Sequence, residues 1–404
     1  MKKKILFVIN TLGMAGAEMA LLELLRKLDP QEYEISLYVL LGQGELADRL
    51  PDYVTLLNEN YNQCSVLSGE GRKHMYRYIM KVMLHRGSIF KRLPYMAAGL
   101  AEMLGNHRIW PDKLLWRVIS DGSPRFPEKY DLAVAYLEGG SAYYVADYVN
   151  ARKKAAFIHI DYTQAGYTRR LDQDCYLKFD AVFPIADEVR DKFLQIYPEC
   201  KGKTAVFHNV INQEEIKAKA KLPGGFTDNY EGIRILTVGR LTYQKSYPVA
   251  IEAMRRLKAE GYRARWYVLG DGPERQALEK QIQAAGLGQD FILVGAVDNP
   301  YPYYAQTDLY VHATKFEGKS IAIQEAQILG CAIIASDSSG NREQITDGKD
   351  GYLCRLDAEC VKEKIISLIQ DERKRAEFKK ASGRKKISYE EDMELLKGLL
   401  GNED

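Results

Sequence analysis

Twice along this chain, short runs of uninterrupted apolar residues alternate with stretches of helical periodicity. ILFVIN, just after the initial lysines, is the first such run. Ala17 to Leu28 follows, with Met19, Leu21, Leu22, Leu25 and Leu28 at helical spacing, and EISLYVLL is the next run. A strand with one wet face alternates apolar and polar residues, whereas a strand that is apolar throughout is covered on both faces. Parallel sheets flanked by helices provide that cover, so the expected class is α/β. The rhythm lapses after a third short strand at Val54 to Leu57 and returns with DLAVAYL, KKAAFIHI, DAVFPIA and KTAVFHN. Residues 60 to 128 read as a helical insertion. A second series begins at Ile233: IRILTVGR, a helix from about Pro248 to Glu260, RARWYVLG, a helix from Glu274 to Ala285, FILVGAV, DLYVHAT, a helix opened by Ser320, and CAIIASD.

At 404 residues the chain has room for two domains. The polar, glycine-rich KLPGGFTDNYEG is the candidate hinge. The expected division is 1–214, 215–385, and a last helix in 386–404. In doubly wound sheets ligands bind beyond the C-terminal ends of the strands, which would place a cleft between two such halves. A net charge of +2 offers no global case for nucleic acid. MKKKILFVIN imitates a signal peptide, but its apolar run ends at Asn10 without a small-residue cleavage site. No stretch approaches the roughly 18 apolar residues of a spanning helix. Cys64, Cys175, Cys200, Cys331, Cys354 and Cys360 include no Cys-x-x-Cys pair and no zinc-like spacing with histidine, so a reduced, cytoplasmic protein is expected.

The densest chemistry lies in TKFEGKSIAIQEAQILG. A buried strand, a turn at Gly318 and a helix beginning after Ser320 would aim a helix N-terminus at a ligand. Free N–H groups and the helix dipole there favour an anion such as a diphosphate. Glu317 precedes the helix and Glu325 lies in its second turn. Carboxylates cannot bind phosphate, but as pure acceptors they suit the hydroxyls beside it, on a sugar and a ribose. In GRLTYQKS, Arg240 ends a strand and Lys245 follows five residues on, two cations that can neutralise a diphosphate. In NTLGMAGAE, Gly13 and Gly16 lie between strand and helix, where backbone can approach a ligand closely. His159, Asp161 and Glu138 end strands of the first series.

These stretches resemble family 4 retaining glycosyltransferases. Glu317 and Glu325, eight positions apart, are similar to that family's Glu-(seven residues)-Glu signature. NTLGMAGAE, His159, GRLTYQK and GDGPER match it in the same order, from about residue 3 to about residue 385. The resemblance implies the GT-B fold: two Rossmann-like doubly wound domains facing a central cleft, with the last helix returning to the first domain. It implies donor binding by Gly16, Val297, Glu317, Gly318, Lys319, Ser320, Ile321 and Glu325, and a catalytic set of His159, Arg240, Lys245 and Glu317. Acceptor contacts would fall to Gly13, Glu138 and Asp161. The chain departs from the family at Ala15-Gly16-Ala17-Glu18, where Gly-Gly-Ala-Glu is usual.

Two other features need a reading. Asp172-Gln173-Asp174 has the form of an Asp-x-Asp metal motif, but LDQDCYLKF reads as a polar helix face between two strands, so no metal is expected. From Gly71 to Ala101 there is no acidic residue. Arg72, Lys73, Arg77, Lys81, Arg86, Lys91 and Arg92 interleave with Met75, Ile79, Val82, Met83 and Phe90; Lys73, Arg77, Lys81 and His85 form one helical row. A basic face paired with an apolar one suits an anionic membrane surface.

The expectation is a metal-independent retaining glycosyltransferase without cofactor. It would take a nucleotide diphosphate sugar, UDP foremost, and extend a glycan or lipid-linked acceptor at the inner face of the membrane. A GT-B-fold sugar-nucleotide epimerase and a non-catalytic partner subunit are the alternatives. The epimerase would need acid and base carboxylates around the sugar; the partner subunit would show loss of the Arg, Lys or Glu set, which is intact.

Overall fold

The computed structural model describes residues 2–401 apart from 67, 106–109, 164, 317 and 386–387. It divides into two compact units, one of residues 1–211 with 388–404 and the other of residues 212–387. In the first, β1 (Lys3–Ile9), β2 (Tyr33–Val39), β3 (Val54–Leu56), β4 (Tyr130–Ala135), β5 (Ala151–Ile158) and β6 (Ala181–Pro184) form a sheet in the order β3-β2-β1-β4-β5-β6. Every pairing is parallel. In the second, β7 (Ile233–Val238), β8 (Ala264–Leu269), β9 (Phe291–Gly295), β10 (Leu309–His312), β11 (Ala332–Ser336) and β12 (Tyr352–Cys354) run β12-β11-β10-β7-β8-β9, again all parallel.

Continuous strand hydrophobicity has the expected cause. Along β1, Leu6 and Val8 enter one core while Ile5, Phe7 and Ile9 enter another on the opposite face. In the second unit Leu309 and Val311 face one core and Tyr310 the other. In each sheet the winding direction reverses beside the first strand, between β1 and β4 and between β7 and β10. Beyond the strand ends at such a reversal, neighbouring loops diverge and leave a crevice for ligand.

KTAVFHN makes no strand. Ala205 N–H donates to Val182 O and Phe207 N–H to Pro184 O, yet the parallel ladder needs a return bond from residue 184, and proline has no N–H to give. Helix Glu390–Gly401 adds Met393, Leu396 and Leu400 to the core around β1, and its Asp392 accepts from His208 N–H at 3.0 Å.

Besides α1 (Gly16–Lys27), the first unit carries α2 (Gly69–Leu84), α3 (Ser88–Lys91), α4 (Leu93–Gly105) and α5 (Pro111–Gly122), the last four making the insertion. Ser68 caps α2 by accepting from Gly71 N–H. The apolar side chains expected to accompany its basic row instead pack inward: Val82 and Met83 are buried in the core and Met75 and Ile79 lie against it. The Arg86 side chain is outside the described residues. Among the described residues no helix is long and apolar enough to cross a membrane.

Candidate functional site

At the reversal of the second sheet, backbone crowding dictates the residues. Gly270 has φ +136°, and a Cβ there would stand 2.2 Å from the Gly239 carbonyl oxygen. Only glycine fits that combination. Arg240 follows, exposed. The chain then makes a short turn at Tyr243–Lys245, and Ser246 at φ +47° redirects it into helix Tyr247–Ala259. This loop is tied to the segment after β10: Lys315 N–H donates to Gln244 O at 2.9 Å, and Gln244 Nε2 to Phe316 O at 2.8 Å. The tie carries Lys245 across from β7 to β10.

There Lys245 meets His312, a buried residue at the end of β10. Its Nζ is 3.5 Å from His312 Nε2, which also lies 3.3 Å from Ser320 Oγ; His312 Nδ1 is 3.2 Å from the Tyr310 hydroxyl. An ammonium can only donate, so Lys245 stands beside Nε2 as a donor. With its side chain turned to His312, Ser320 does not cap helix Ile321–Ile328. Gln344 secures the helix start instead, accepting from Ser320 N–H and donating to Ser320 O, each at 2.8 Å. The first-turn N–H groups therefore have no serine hydroxyl closing them, the condition for receiving an anion.

One turn into that helix Glu325 accepts from Tyr301 at 3.2 Å and Tyr304 at 3.1 Å. Burial pushes its pKa up to about 7, with the two tyrosine hydroxyls pulling the other way. The residue as a whole nonetheless keeps partial exposure. Gly318 is buried, Lys319 half-buried, and Ile321 opens the helix; Val297, just past β9, packs partly buried against the adjoining core. Glu317 lies outside the described residues.

The first unit gathers a different set at its own reversal. Asn10, after β1, bridges to the β4 side: its Nδ2 donates to Glu138 O at 3.1 Å and its Oδ1 accepts from Ser141 N–H at 2.8 Å. Glu138 Oε2 accepts from His159 N–H, after β5, at 3.1 Å. Burial raises the Glu138 pKa and lowers that of His159 to about 3, so the imidazole is neutral. The ring is hydrogen bonded to the Tyr136 backbone, and its Nε2 finds no partner among the described residues. Asp161 is occupied locally, accepting from Thr163 N–H and Oγ1 at 2.9 and 2.6 Å. Gly16 opens α1. A Cβ on Gly13 would meet only ordinary contacts, at 3.6 Å and beyond, so the protein itself does not demand glycine there.

Asp172 corrects the expectation of a polar helix face. It is fully buried and accepts from the hydroxyls of Tyr143, Tyr162 and Tyr197 at 2.7, 2.6 and 3.0 Å. Asp174 turns away in left-handed conformation to pair with Arg169. The two carboxylates share no site. Sequence reasoning missed Asn10, His312, Tyr301, Tyr304 and Gln344; for Asn10 and His312 the available signal was a polar residue closing an otherwise apolar strand.

Residues 223–385 match the model of the family described as glycosyl transferases group 1. The chain is 28% identical over 231 residues to the N-acetylgalactosamine-N,N'-diacetylbacillosaminyl-diphospho-undecaprenol 4-alpha-N-acetylgalactosaminyltransferase of Campylobacter jejuni, 56% of this chain and 61% of that one. It is 27% identical over 201 residues to the poly(glycerol-phosphate) alpha-glucosyltransferase of Bacillus subtilis, 49% of this chain and 29% of that one. The chain thus spans less than two thirds of the length of these curated relatives. Among solved structures, HepE of Anabaena in complex with UDP superposes with a TM-score of 0.65 at 15% identity, covering 95% of this chain and 94% of that one. By fold the chain is GT-B, and by sequence its residues 223–385 are similar to the group 1 glycosyl transferases.

Proposed function

We propose that the chain is a retaining glycosyltransferase that moves a hexosyl group from a UDP-sugar to a glycan or lipid-linked acceptor. The observation that carries this is the cluster at the second reversal, where Lys245 and the open start of helix Ile321–Ile328 meet at His312, with Glu325 held in the same helix. That combination suits a diphosphate flanked by hydroxyls. The UDP bound by HepE and the diphospho-undecaprenol named for the Campylobacter relative's acceptor support the substrate classes.

In the reaction the bond from the sugar's anomeric carbon to the diphosphate oxygen breaks. A bond to the acceptor oxygen forms on the same face, and the acceptor's proton passes to the leaving phosphate oxygen. Arg240, Lys245 and the helix start stabilise the charge that develops there, which is where preorganised groups lower a barrier most. Glu325 holds the ribose hydroxyls, and Gly318 to Ile321, with Glu317 and Val297, the sugar and base side. His159, neutral and with Nε2 unpartnered among the described residues, accepts from a hydroxyl of the transferred sugar; Glu138, Asp161, Gly13 and Gly16 line the acceptor side. The cations take the role a metal would otherwise fill, so EDTA leaves turnover unchanged. The free cysteines support a reducing, cytoplasmic setting.

Incubation with UDP-sugars and a lipid-linked acceptor, read by proton NMR at the new anomeric centre, tests the proposal. Retained configuration is expected. Inversion, or epimerisation of the donor without transfer, overturns it.

A further inference from the structure

We infer that α2, α3 and α4 form a docking face for an anionic lipid bilayer, with α4 entering the interface and α2 meeting lipid phosphates. Exposed large apolar side chains are unevenly spread. Of the fifteen among the described residues, eight fall between Tyr76 and Trp110. On α2, Lys73, Tyr76, Arg77, Met80, Lys81 and Leu84 are all exposed. Their offsets of 3, 4, 7, 8 and 11 residues place them on one side of a helix. That side is half cationic and half apolar, with Tyr76 64%, Met80 54% and Leu84 57% exposed.

On α4 the exposed residues Leu93, Ala97, Leu100, Ala101 and Leu104 fall at offsets of 4, 7, 8 and 11, again one side, and none is polar. Between the helices α3 presents Phe90, 67% exposed, next to exposed Lys91. The opposite sides are already used. Val82 and Met83 of α2 are buried, and Gly99 and Met103 of α4 pack on α5, where a Cβ on Gly99 would come within 2.5 Å of Leu114. The outward apolar surface therefore has no core left to join.

Charge selects the occupant. No acid occurs from Gly71 to Ala101; exposed Glu70, in the first turn of α2, is the acid at the N-terminal end of a face otherwise made of cations and hydrocarbon. A second copy docking by this same patch would set lysines and arginine against their own images, since an isologous contact pairs a patch with itself. An anionic bilayer offers phosphates to the cations and acyl chains to the apolar residues. The inference deepens the proposed lipid-linked acceptor by giving the enzyme a surface on which to meet it, and the docking is measurable without any substrate.

The test is sedimentation of the full chain with phosphatidylcholine vesicles, with and without phosphatidylglycerol. Wild type is expected to pellet with the anionic vesicles at low salt. The K73E/R77E/K81E variant should partition at least a hundredfold more weakly, since removing each near-surface cation alone costs about fivefold. The F90S/L100S/L104S variant should lose at least a hundredfold and keep only salt-sensitive binding. These positions are exposed, so circular dichroism should report an unchanged fold. F90W quenched by brominated lipid would show insertion directly. Failure of wild type to pellet, binding indifferent to phosphatidylglycerol, or a solution dimer that the serine variant dissociates would each overturn the inference. Calorimetry with UDP keeps the two proposals apart: intact UDP binding without vesicle binding removes only the docking face, and the reverse removes only the donor site.

Discussion

Beside the reversal of the first sheet, burial drives the base His159 to its neutral form, with a pKa near 3; in the second unit it drives the acid Glu325 up to about 7. The cause is the same in both, loss of water around the charged form. The surroundings differ. His159 stacks on Phe157 and lies tilted against Tyr136, with centroids 6.1 and 5.1 Å away, and burial lowers its pKa against a hydrogen bond from the ring to the Tyr136 backbone. Glu325 has two hydroxyls aimed at its oxygens and stays partly exposed. One environment keeps a group uncharged and available as a neutral hydrogen-bonding partner. The other holds a carboxyl ready to ionise when hydroxyl donors arrive.

Removing Glu325 should break the comparison most severely. Glu325→Ala is expected to weaken UDP binding at least a hundredfold in calorimetry, because charge-assisted bonds to a ligand contribute roughly 1.5–3 kcal/mol each. Unchanged affinity in a folded variant would remove Glu325 from the donor site. Wild-type affinity should also fall as pH drops through about 7, where Glu325 takes up a proton. Glu325→Gln removes that component and leaves only the titration of the diphosphate itself.

Stability gives the next largest effects, with opposite signs in the two units. The folded pKa of His159 lies below the ordinary imidazole value, so the unfolded chain binds the proton more tightly. Its contribution is complete above about pH 6.5 and shrinks by about 1.4 kcal/mol per unit below it, or about 2 kcal/mol at pH 5. Glu325 has a raised pKa, so the folded state binds the proton more tightly. Stability from that group is complete below about pH 4.5 and is lost as pH rises to about 7. After discounting for its partial exposure, Glu325→Gln should gain about 1.5 kcal/mol at pH 8. Urea titrations of the wild type, His159→Gln and Glu325→Gln across this range read both. His159→Gln should flatten the acid limb and Glu325→Gln the alkaline one; parallel curves for all three chains would void the comparison.

Much of this architecture was legible because it is local. Uninterrupted apolar runs marked β1, β2, β4, β5 and most of the second sheet, and the glycines of GRLTYQK and GDGPER marked where strands turn into helices. KTAVFHN had the same apolar signature, but the missing N–H of Pro184 on the neighbouring strand left its ladder without the return bond. The rest depends on contacts between distant positions. Tyr304 reaches Glu325 across 21 residues, and Asn10 reaches Glu138 across 128. On α2 the periodicity correctly grouped Met75, Ile79, Val82 and Met83, but grouping alone does not say which side meets the core. Asp172 shows the same limit, since its three tyrosine partners lie 29, 10 and 25 positions away.

The smallest predicted effect concerns His312, a buried imidazole in the second unit. Unlike His159, it faces a cation, with Lys245 at 3.5 Å and Ser320 at 3.3 Å from the same nitrogen. Its expected work is to hold the ammonium where a diphosphate gathers charge, a task that matters more in the transition state than in the bound donor. His312→Phe removes the acceptor and should lower kcat roughly tenfold, about 1.4 kcal/mol, with little change in the KM for the UDP-sugar. His312→Gln keeps a carbonyl that can accept from Lys245 and should restore part of that loss. Lys245→Ala combined with His312→Phe should be no worse than Lys245→Ala alone, because the histidine then has no ammonium to position. If glutamine rescues nothing, or if the two substitutions add, His312 is only a core residue at the end of β10, and the second unit holds its charged groups without help from it.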